Sequence, residues 1–212
     1  MILLCGDPHG DFDHIILRVQ QNKPAAVIIL GDLCLQQTFE LTFAPILGLT
    51  DIWFIHGNHD TDDVRYHDHL FGCPEHNLHC RVVEIDGFKV AGLGGIFRSQ
   101  VWYPPATPRY RTRQDFQDNC GKGNLWRGGL PRKHRSSIFP EDIQHLQGLN
   151  ADILICHEAP KEHPHGFLAI NELAKSLKAT YIIHGHHHDP FHYDEPNNLN
   201  LGIRELLELT CK

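Results

Sequence analysis

Short apolar runs recur along the chain, and residues that favour turns stand at the ends of each run. Short runs with such boundaries are typical of buried β-strands. The pattern therefore predicts five strands, at residues 2–5, 27–30, 52–55, 153–156 and 181–183.

Segments with a helical pattern lie between these runs. Residues 11–21 repeat apolar side chains at i, i+3, i+4 and i+7, which predicts an amphipathic helix. Residues 39–47 predict a weaker helix because Pro45 lies within it. Residues 167–178 predict a helix between the last two runs. The alternation of strands and helices predicts a largely parallel sheet with right-handed crossovers.

Two further segments predict antiparallel strands of a second sheet. The first is a hairpin whose strands, 82–85 and 88–91, flank Asp86 and Gly87, a strong signal for a two-residue turn. The second alternates apolar and polar residues from Leu199 onwards, near the end of the sequence.

The segment from about residue 98 to residue 140 has no sustained period. It is rich in proline and glycine, and it contains two tryptophans and two tyrosines. Long irregular loops within compact domains are usually functional or disordered, and the aromatic residues favour an ordered flap. We therefore predict a single domain over residues 1–212, with a basic, aromatic insertion at about 98–140.

Charge is distributed unevenly along the chain. Nine basic and two acidic residues give the insertion a net charge of +7, although the whole chain carries −7, so the remainder carries −14. Arginine beside aromatic residues suits phosphate groups, nucleotides or single strands. The alternative is an insertion that is solvated or that docks on the acidic body. Arg98, which follows Gly94 and Gly95, is a candidate for holding a substrate phosphate.

Composition excludes several classes of protein. No apolar run approaches the ~20 residues of a membrane span, and Asp7 comes too early for a signal peptide. The seven cysteines are scattered, which argues against a disulfide framework. We therefore expect a cytoplasmic protein that does not act at a membrane. One alternative for metal binding is a small zinc site, although its spacing fits no standard zinc finger, at Cys73, His76, His79 and Cys80.

Each of the five apolar runs is followed by residues that can bind a metal ion. The carboxyl ends of parallel strands lie along one edge of a sheet, where such folds place ligand sites. Nitrogen and oxygen ligands without thiolate suit manganese, iron or zinc. Seven ligands exceed the needs of one tetrahedral ion but fit two ions that share a carboxylate. The candidates are Asp7, His9, Asp32, Asn58, His157, His186 and His188.

The order of these motifs resembles that of the calcineurin-like metallophosphoesterase superfamily. The motifs are D-x-H at 7–9, G-D at 31–32, G-N-H-D at 57–60, a lone histidine at 157 and G-H-x-H at 185–188. The resemblance implies an α/β fold, a four-layer α/β/β/α sandwich of two mixed sheets flanked by helices. It also implies two divalent metal ions, with manganese favoured and iron, zinc or nickel as alternatives.

The same resemblance implies a role for each ligand. Asp32 would bridge the two ions. One ion would be held by Asp7, His9 and His188, and the other by Asn58, His157 and His186. His59 would be the catalytic histidine beside the scissile phosphate, and Asp60 would orient its loop. Attack by a hydroxide between the ions would then cleave the ester in line.

The second motif departs from two branches of the superfamily. Protein Ser/Thr phosphatases and dinucleoside tetraphosphatases have G-D-x-x-D-R-G there, whereas Leu35 stands at the later aspartate of this motif. His56 likewise replaces the arginine that those branches have before G-N-H. Neither substrate class therefore transfers to this chain.

These features predict a metal-dependent phosphoesterase that acts on a phosphodiester, either nucleotide-like or a nucleic acid. A phosphomonoesterase of a small metabolite or a protein is the first alternative. A non-catalytic protein-binding scaffold of the same fold is the second, although all seven ligands and His59 are present.

Overall fold

All five predicted strands are present in the computed structural model, which describes residues 1–188, 191, 193–194 and 197–210. Their bounds differ from the prediction by one residue at most. The strands in the described part of the chain are β1 (Ile2–Cys5), β2 (Ala26–Ile29), β3 (Asp51–Phe54), β4 (Arg81–Ile85), β5 (Phe88–Leu93), β6 (Ile153–Cys156), β7 (Tyr181–His184), β8 (Asn198–Asn200) and β9 (Leu206–Leu209).

The three predicted helices also form, and three others accompany them among the residues that the structure describes. The helices are α1 (Asp13–Asn22), α2 (Phe39–Phe43), α3 (Val64–Phe71), α4 (Arg113–Asn119), α5 (Pro140–Leu146) and α6 (Leu168–Leu177). Helix α2 ends before Pro45, whose missing N–H cannot continue the helical hydrogen bonds. None of the helices among the described residues is long and apolar enough to cross a membrane.

The strands form two mixed sheets. The first has the order β3-β2-β1-β9, in which β9 is antiparallel to β1 and the other neighbours are parallel. The second has the order β4-β5-β6-β7-β8, in which the hairpin strand β4 is antiparallel and the other neighbours are parallel. The α/β class and the two mixed sheets are thus confirmed.

Apolar side chains on both faces of each sheet produce four layers. Between the sheets, residues such as Ile28 of β2 and Ile155 of β6 belong to one buried cluster. Helices α1 and α2 pack on the outer face of the first sheet, with Phe43 buried there. Helices α5 and α6 pack on the outer face of the second, with Leu173 buried there. Strands buried on both faces need continuous apolar runs, which explains the sequence pattern.

Two predictions about the sheets are wrong. The five apolar runs do not share one sheet, because β1, β2 and β3 lie in the first and β6 and β7 in the second. The C-terminal strands are not both antiparallel members of the second sheet: β8 joins it in parallel, and β9 pairs with β1 of the first. Alternation along a strand shows which residues are buried but does not select the neighbouring strand.

The predicted insertion is ordered and has an apolar cluster of its own. It contains α4, and the cluster joins Val101, Phe116, Leu130 and Phe139, each at most 6% exposed. Arg113 of α4 donates to both oxygens of Asp142 in α5. These contacts fix the insertion against the second sheet and its helices.

Candidate metal centre

One group of candidate ligands joins the loop after β1 to the loop after β7. His9 Nε2 lies 3.1 Å from His188 Nε2. His188 Nε2 lies 3.3 Å from Asp7 Oδ2. Atoms that share an ion at roughly 2.1 Å lie about 3.0–3.5 Å apart, so these separations suit a common ion. We call these three residues the outer cluster, because the His188 side chain is 44% exposed.

A second group follows β2, β3, β6 and β7. His157 Nε2 lies 3.4 Å from Asp32 Oδ2 and 3.3 Å from Asn58 Oδ1. His186 contributes a ligand atom within 4.8 Å of those of Asp32 and His157. We call these four residues the inner cluster, because Asp32 and His157 are almost completely buried.

The two clusters adjoin each other. Asp7 Oδ1 of the outer cluster lies 3.9 Å from His157 Nδ1 of the inner cluster. The backbone N–H of His186 donates to Asp7 Oδ2 over 2.9 Å. The fold therefore brings all seven sequence-predicted ligands to one place, although they come from two sheets rather than from one edge.

Unsatisfied polar atoms test whether metal ions fit this site. Asp7 Oδ1 and His186 Nδ1 are buried, and neither has a hydrogen-bond partner among the described residues. Asp32 Oδ2 has no such partner either and contacts His157 at 3.4 Å. Buried polar atoms without partners are costly, and bound cations would satisfy them. The nitrogen and oxygen donors suit manganese, iron, zinc or nickel.

Electrostatics make the inner cluster attractive to cations. Burial alone would lower the pKa of His157, but the carboxylates of Asp32 and Asp7 outweigh it and raise that pKa to about 10. Burial raises the pKa of Asp32, but His157 outweighs it and lowers that pKa well below its usual range. Burial lowers the pKa of His186 to about 2, so its imidazole is neutral and available as a ligand. Because negative charge is concentrated here, cation binding would displace the proton of His157.

A hydrogen bond fixes the orientation of His157. Its Nδ1 donates to the carbonyl oxygen of Leu30 over 2.7 Å, since a carbonyl can only accept. With the proton on Nδ1 in the neutral imidazole, Nε2 presents its lone pair towards Asp32 and Asn58.

Unusual backbone conformations place several ligands. His9, Asp32 and His186 have positive φ angles of 46°, 50° and 70°. Non-glycine residues adopt such angles at a cost, and they concentrate at functional sites. Gly57 is needed for a different reason, because a Cβ there would lie 2.2 Å from Asp32 Oδ1.

The turn after β3 carries the predicted catalytic residues. The backbone N–H of His59 donates to Asp32 Oδ1 over 2.7 Å, and the His59 ring lies 5.4 Å from that of His9. Asp60 is buried, and its two oxygens accept from the N–H groups of Gly57 and Cys34 over 2.8 Å each. Burial, reinforced by Asp32, raises the pKa of Asp60 to about 7.

Sequence analysis missed one carboxylate of this turn. His59 Nδ1 lies 2.6 Å from Asp62 Oδ2. The signal available in the sequence was that Asp62 follows His59 by three positions. A 3₁₀ turn brings side chains at this spacing together. That turn spans His59–Thr61.

Arg98 lies close enough to the inner cluster for the charge of Asp32 to act on it, and among the described residues it makes no hydrogen bond to either cluster. Its Nη2 donates to Ser136 Oγ over 3.2 Å, and its buried Nε has no hydrogen-bond partner among the described residues. Within the described part of the chain it forms no ion pair. Burial lowers the pKa of Arg98, against the opposing charges of Asp62, Glu158 and Asp32.

Comparison with known proteins decides the family. A model of the calcineurin-like phosphoesterase family matches residues 1–190. The chain belongs to this family. The predicted superfamily is therefore confirmed, and membership implies metal-dependent hydrolysis of phosphate esters.

Individual proteins resemble this calcineurin-like phosphoesterase in sequence or in fold. An uncharacterised protein of Haemophilus influenzae is 46% identical over 213 residues, or 98% of this chain and 93% of that protein. The crystal structure of TT1561 from Thermus thermophilus matches with a TM-score of 0.53 and 16% identity over 86% of this chain and 79% of that one. A second solved structure matches with a TM-score of 0.55 and 16% identity over 95% and 90% of the two chains. At this identity, the solved structures show the shared fold.

The alternative zinc site of the calcineurin-like phosphoesterase does not assemble from the four residues considered. Cys73 Sγ contacts the carbonyl oxygens of His69 and Leu70, and His76 contacts that of Ile52. These contacts do not bring Cys73 or His76 together with His79 and Cys80 at a common centre.

The other two residues meet Asp142 of α5 instead. His79 Nε2 lies 3.4 Å from Cys80 Sγ and 3.6 Å from Asp142 Oδ1. However, the Gly94 N–H donates to His79 Nδ1, so Nε2 carries the ring proton of the neutral imidazole and cannot bind a metal ion. Arg113 also neutralises Asp142. These contacts describe a buried polar cluster rather than a metal site.

Proposed function

We propose that this phosphoesterase binds two divalent cations and hydrolyses a phosphodiester, either nucleotide-like or a nucleic acid. The observation that carries the proposal is the pair of adjoining clusters. Their candidate ligands include two buried atoms without a hydrogen-bond partner in the described part of the chain, Asp7 Oδ1 and His186 Nδ1. Asp32 is proposed to serve both clusters, because its Oδ2 contacts His157 and its charge also acts on His9 and His188. Manganese is the favoured ion, because the ligands combine imidazole nitrogens with carboxylate and amide oxygens.

The ligands prepare the site for substrate in two ways. When bound, two cations would acidify a shared water and neutralise the phosphoryl oxygens. The carboxylates of Asp7 and Asp32 offset the positive charge of those cations within the buried part of the site. The amide of Asn58 adds a neutral oxygen ligand, which leaves part of the positive charge for the substrate.

His59 is proposed to act on the ester itself. Its side chain is 47% exposed, so it can meet a substrate that approaches the clusters. With Nδ1 directed at Asp62, Nε2 is the ring nitrogen that remains for the leaving oxygen. In the protonated state His59 would donate a proton there or stabilise the charge that develops. Asp60 would hold the turn through its two backbone hydrogen bonds.

Arg98 supports the binding of a phosphate ester. Its guanidinium has a hydrogen-bond partner in Ser136 but no ion-pair partner among the described residues, so its charge is available to a phosphate. A guanidinium binds phosphoryl oxygens through its parallel N–H donors, so Arg98 would hold the phosphate group of the ester. The remaining basic residues of the insertion would guide a longer nucleotide-like substrate.

The experiment compares bis-p-nitrophenyl phosphate with p-nitrophenyl phosphate after reconstitution with Mn²⁺. We expect two ions per chain by elemental analysis and faster turnover of the diester. Asp32→Asn should lose both ions and activity, whereas Asp51→Asn, an exposed carboxylate at the start of β3, should lose neither. Turnover of the monoester alone would identify a phosphomonoesterase. Two bound ions without turnover across a panel of phosphoesters would favour the scaffold.

Nucleic-acid substrates need a separate measurement. Binding to single-stranded DNA or RNA at low salt, weakening steeply as salt rises, would support a nucleic acid over a small nucleotide. Replacing Arg109 and Lys133 of the insertion should weaken that binding without removing metal ions. Absence of binding at low salt would restrict the proposal to small substrates.

A further inference from the structure

We propose that Asp62 is the positioning residue for His59 and that Arg132 of the insertion holds Asp62 in place. This inference rests on the proposed function, in which His59 acts on the substrate. Asp62 would be the carboxylate partner of His59. The second motif does not supply one, because Leu35 stands at the position of its later aspartate.

The contact between the two side chains is short and local. His59 Nδ1 lies 2.6 Å from Asp62 Oδ2. In the 3₁₀ turn after β3, residues three apart stand above one another, so the backbone itself aligns the pair. Both side chains are partly exposed, 47% for His59 and 62% for Asp62, so the pair borders the open side of the site.

The chemistry of the pair fixes which nitrogen faces the substrate. A carboxylate without a proton can only accept, so the shared hydrogen belongs to His59 Nδ1. The other nitrogen, Nε2, then alternates between donor and acceptor during a reaction.

The second motif offers no carboxylate for this purpose. Leu35 stands where other branches of the superfamily have the later aspartate of this motif, and it is completely buried in the apolar core of the first sheet. Asp60, the nearest carboxylate along the turn, already accepts from two backbone N–H groups. Among the described residues, Asp62 is the carboxylate found within ion-pair distance of His59.

Arg132 holds the turn from the side of the insertion. Its Nε donates to the carbonyl oxygen of Thr61 over 2.9 Å, and its Nη2 donates to that of Asp62 over 2.8 Å. Thr61 Oγ1 also lies 2.7 Å from Ser136 Oγ, the hydroxyl that accepts from Arg98. Short 3₁₀ turns have poor internal hydrogen bonding, so these external contacts are needed to keep Asp62 below His59.

The first experiment measures turnover by the metal-loaded Asp62→Asn variant. We expect kcat to fall about 10–100-fold, as for other residues that act through a catalytic group, with KM and metal content unchanged. The loss should be greater for an ester of an aliphatic alcohol than for a p-nitrophenyl ester, whose leaving group needs no proton. Asp63→Asn, which removes the adjacent carboxylate at the start of α3, is the matched control and should retain kcat.

A double-mutant cycle separates this role from general stability. In a His59→Asn background, Asp62→Asn should cause no further loss, because its effect passes through the imidazole. Equal losses in the two backgrounds would overturn the proposal. So would a loss confined to KM or to metal content.

A measurement that does not depend on catalysis tests the contact between His59 and Asp62 independently of the proposed function. The ¹⁵N chemical shifts of the His59 ring, assigned by comparison with His59→Asn, should show the proton on Nδ1 in the wild type with Mg²⁺. Asp62→Ala, which leaves no acceptor for Nδ1–H, should remove this preference, whereas unchanged shifts would show that Asp62 does not set the tautomer of His59. If the wild type hydrolyses no ester, the proposed function fails while this spectrum still decides the inference.

The contribution of Arg132 is tested in the same way. Arg132→Gln should lower kcat by about tenfold, as expected for the loss of two hydrogen bonds, whereas the same change at the exposed Arg65 of α3, outside the insertion, should not. When Arg132→Gln is added to Asp62→Asn, kcat should fall little further. Full activity of Arg132→Gln would overturn the proposed role of Arg132. So would a loss of kcat on adding Arg132→Gln that is as large in the Asp62→Asn background as in the wild type.

Discussion

The outer and inner clusters of the candidate metal centre differ in how completely the fold encloses them. In the inner cluster, His157 is wholly buried and Leu30 fixes its tautomer. In the outer cluster, the side chain of His188 is 44% exposed, and its nitrogen contacts Asp7 and His9. Enclosed ligands are held in place before an ion arrives, whereas exposed ligands must be ordered by it. We therefore expect the inner ion to bind more tightly than the outer one.

The largest effect should come from the centre of the inner cluster. His157→Ala removes a ligand and leaves the carboxylates of Asp32 and Asp7 buried without their counter-charge. We expect the loss of both ions and a fall of about 10³-fold in activity towards the preferred ester. Elemental analysis and kcat measurements check this, with the exposed His165→Ala as control. A variant that kept two ions would remove His157 from the ligand set.

A smaller effect should follow from the matching change in the outer cluster. His188→Ala should lose one ion, retain the other and reduce kcat by about 10–100-fold. Because His188 is partly exposed, the free energy of unfolding of the metal-free protein should change by less than ~0.5 kcal/mol. Denaturant titration measures the free energy of unfolding, and elemental analysis counts the bound ions. Loss of both ions would mean that the two clusters bind as one unit.

Timed chelation compares the two clusters without mutation. Incubation of the loaded protein with EDTA should release one ion first, and activity should fall with that ion to the level of His188→Ala. His188→Ala should show the slow phase alone, because the exposed ion is already missing. Simultaneous release of both ions in the wild type would contradict the difference in enclosure.

The smallest effect is a pH dependence of the metal-free protein. The folded-state pKa of His157 is about 10, above its ordinary value of 6.5. Its contribution to stability is therefore complete below about pH 6.5 and is lost as the pH rises towards 10. We expect the free energy of unfolding to fall by roughly 1–2 kcal/mol over this range. Denaturant titrations across the range measure this slope, and His157→Gln should flatten it.

The proximity of the candidate ligands could be predicted from the sequence because each one follows a buried strand. Apolar runs mark the strands, and the polar residues after them have no other reason to recur. Sheet assignment could not be predicted in the same way, because β9 contacts β1 across almost the whole length of the sequence. The partnership of His59 and Asp62 was also hidden, since it depends on a short turn that the insertion supports.

The distribution of ligands between the sheets has a mechanical consequence. Each cluster takes residues from both layers: His9 and His188 lie on loops of opposite sheets, and so do Asp32 and His157. Each bound ion would therefore cross-link two layers that otherwise adhere through apolar packing. Since ions that bind only the folded state stabilise it, filling the site would resist separation of the sheets. The cross-links could form only after residues 7 and 188, close to opposite ends of the chain, had come together.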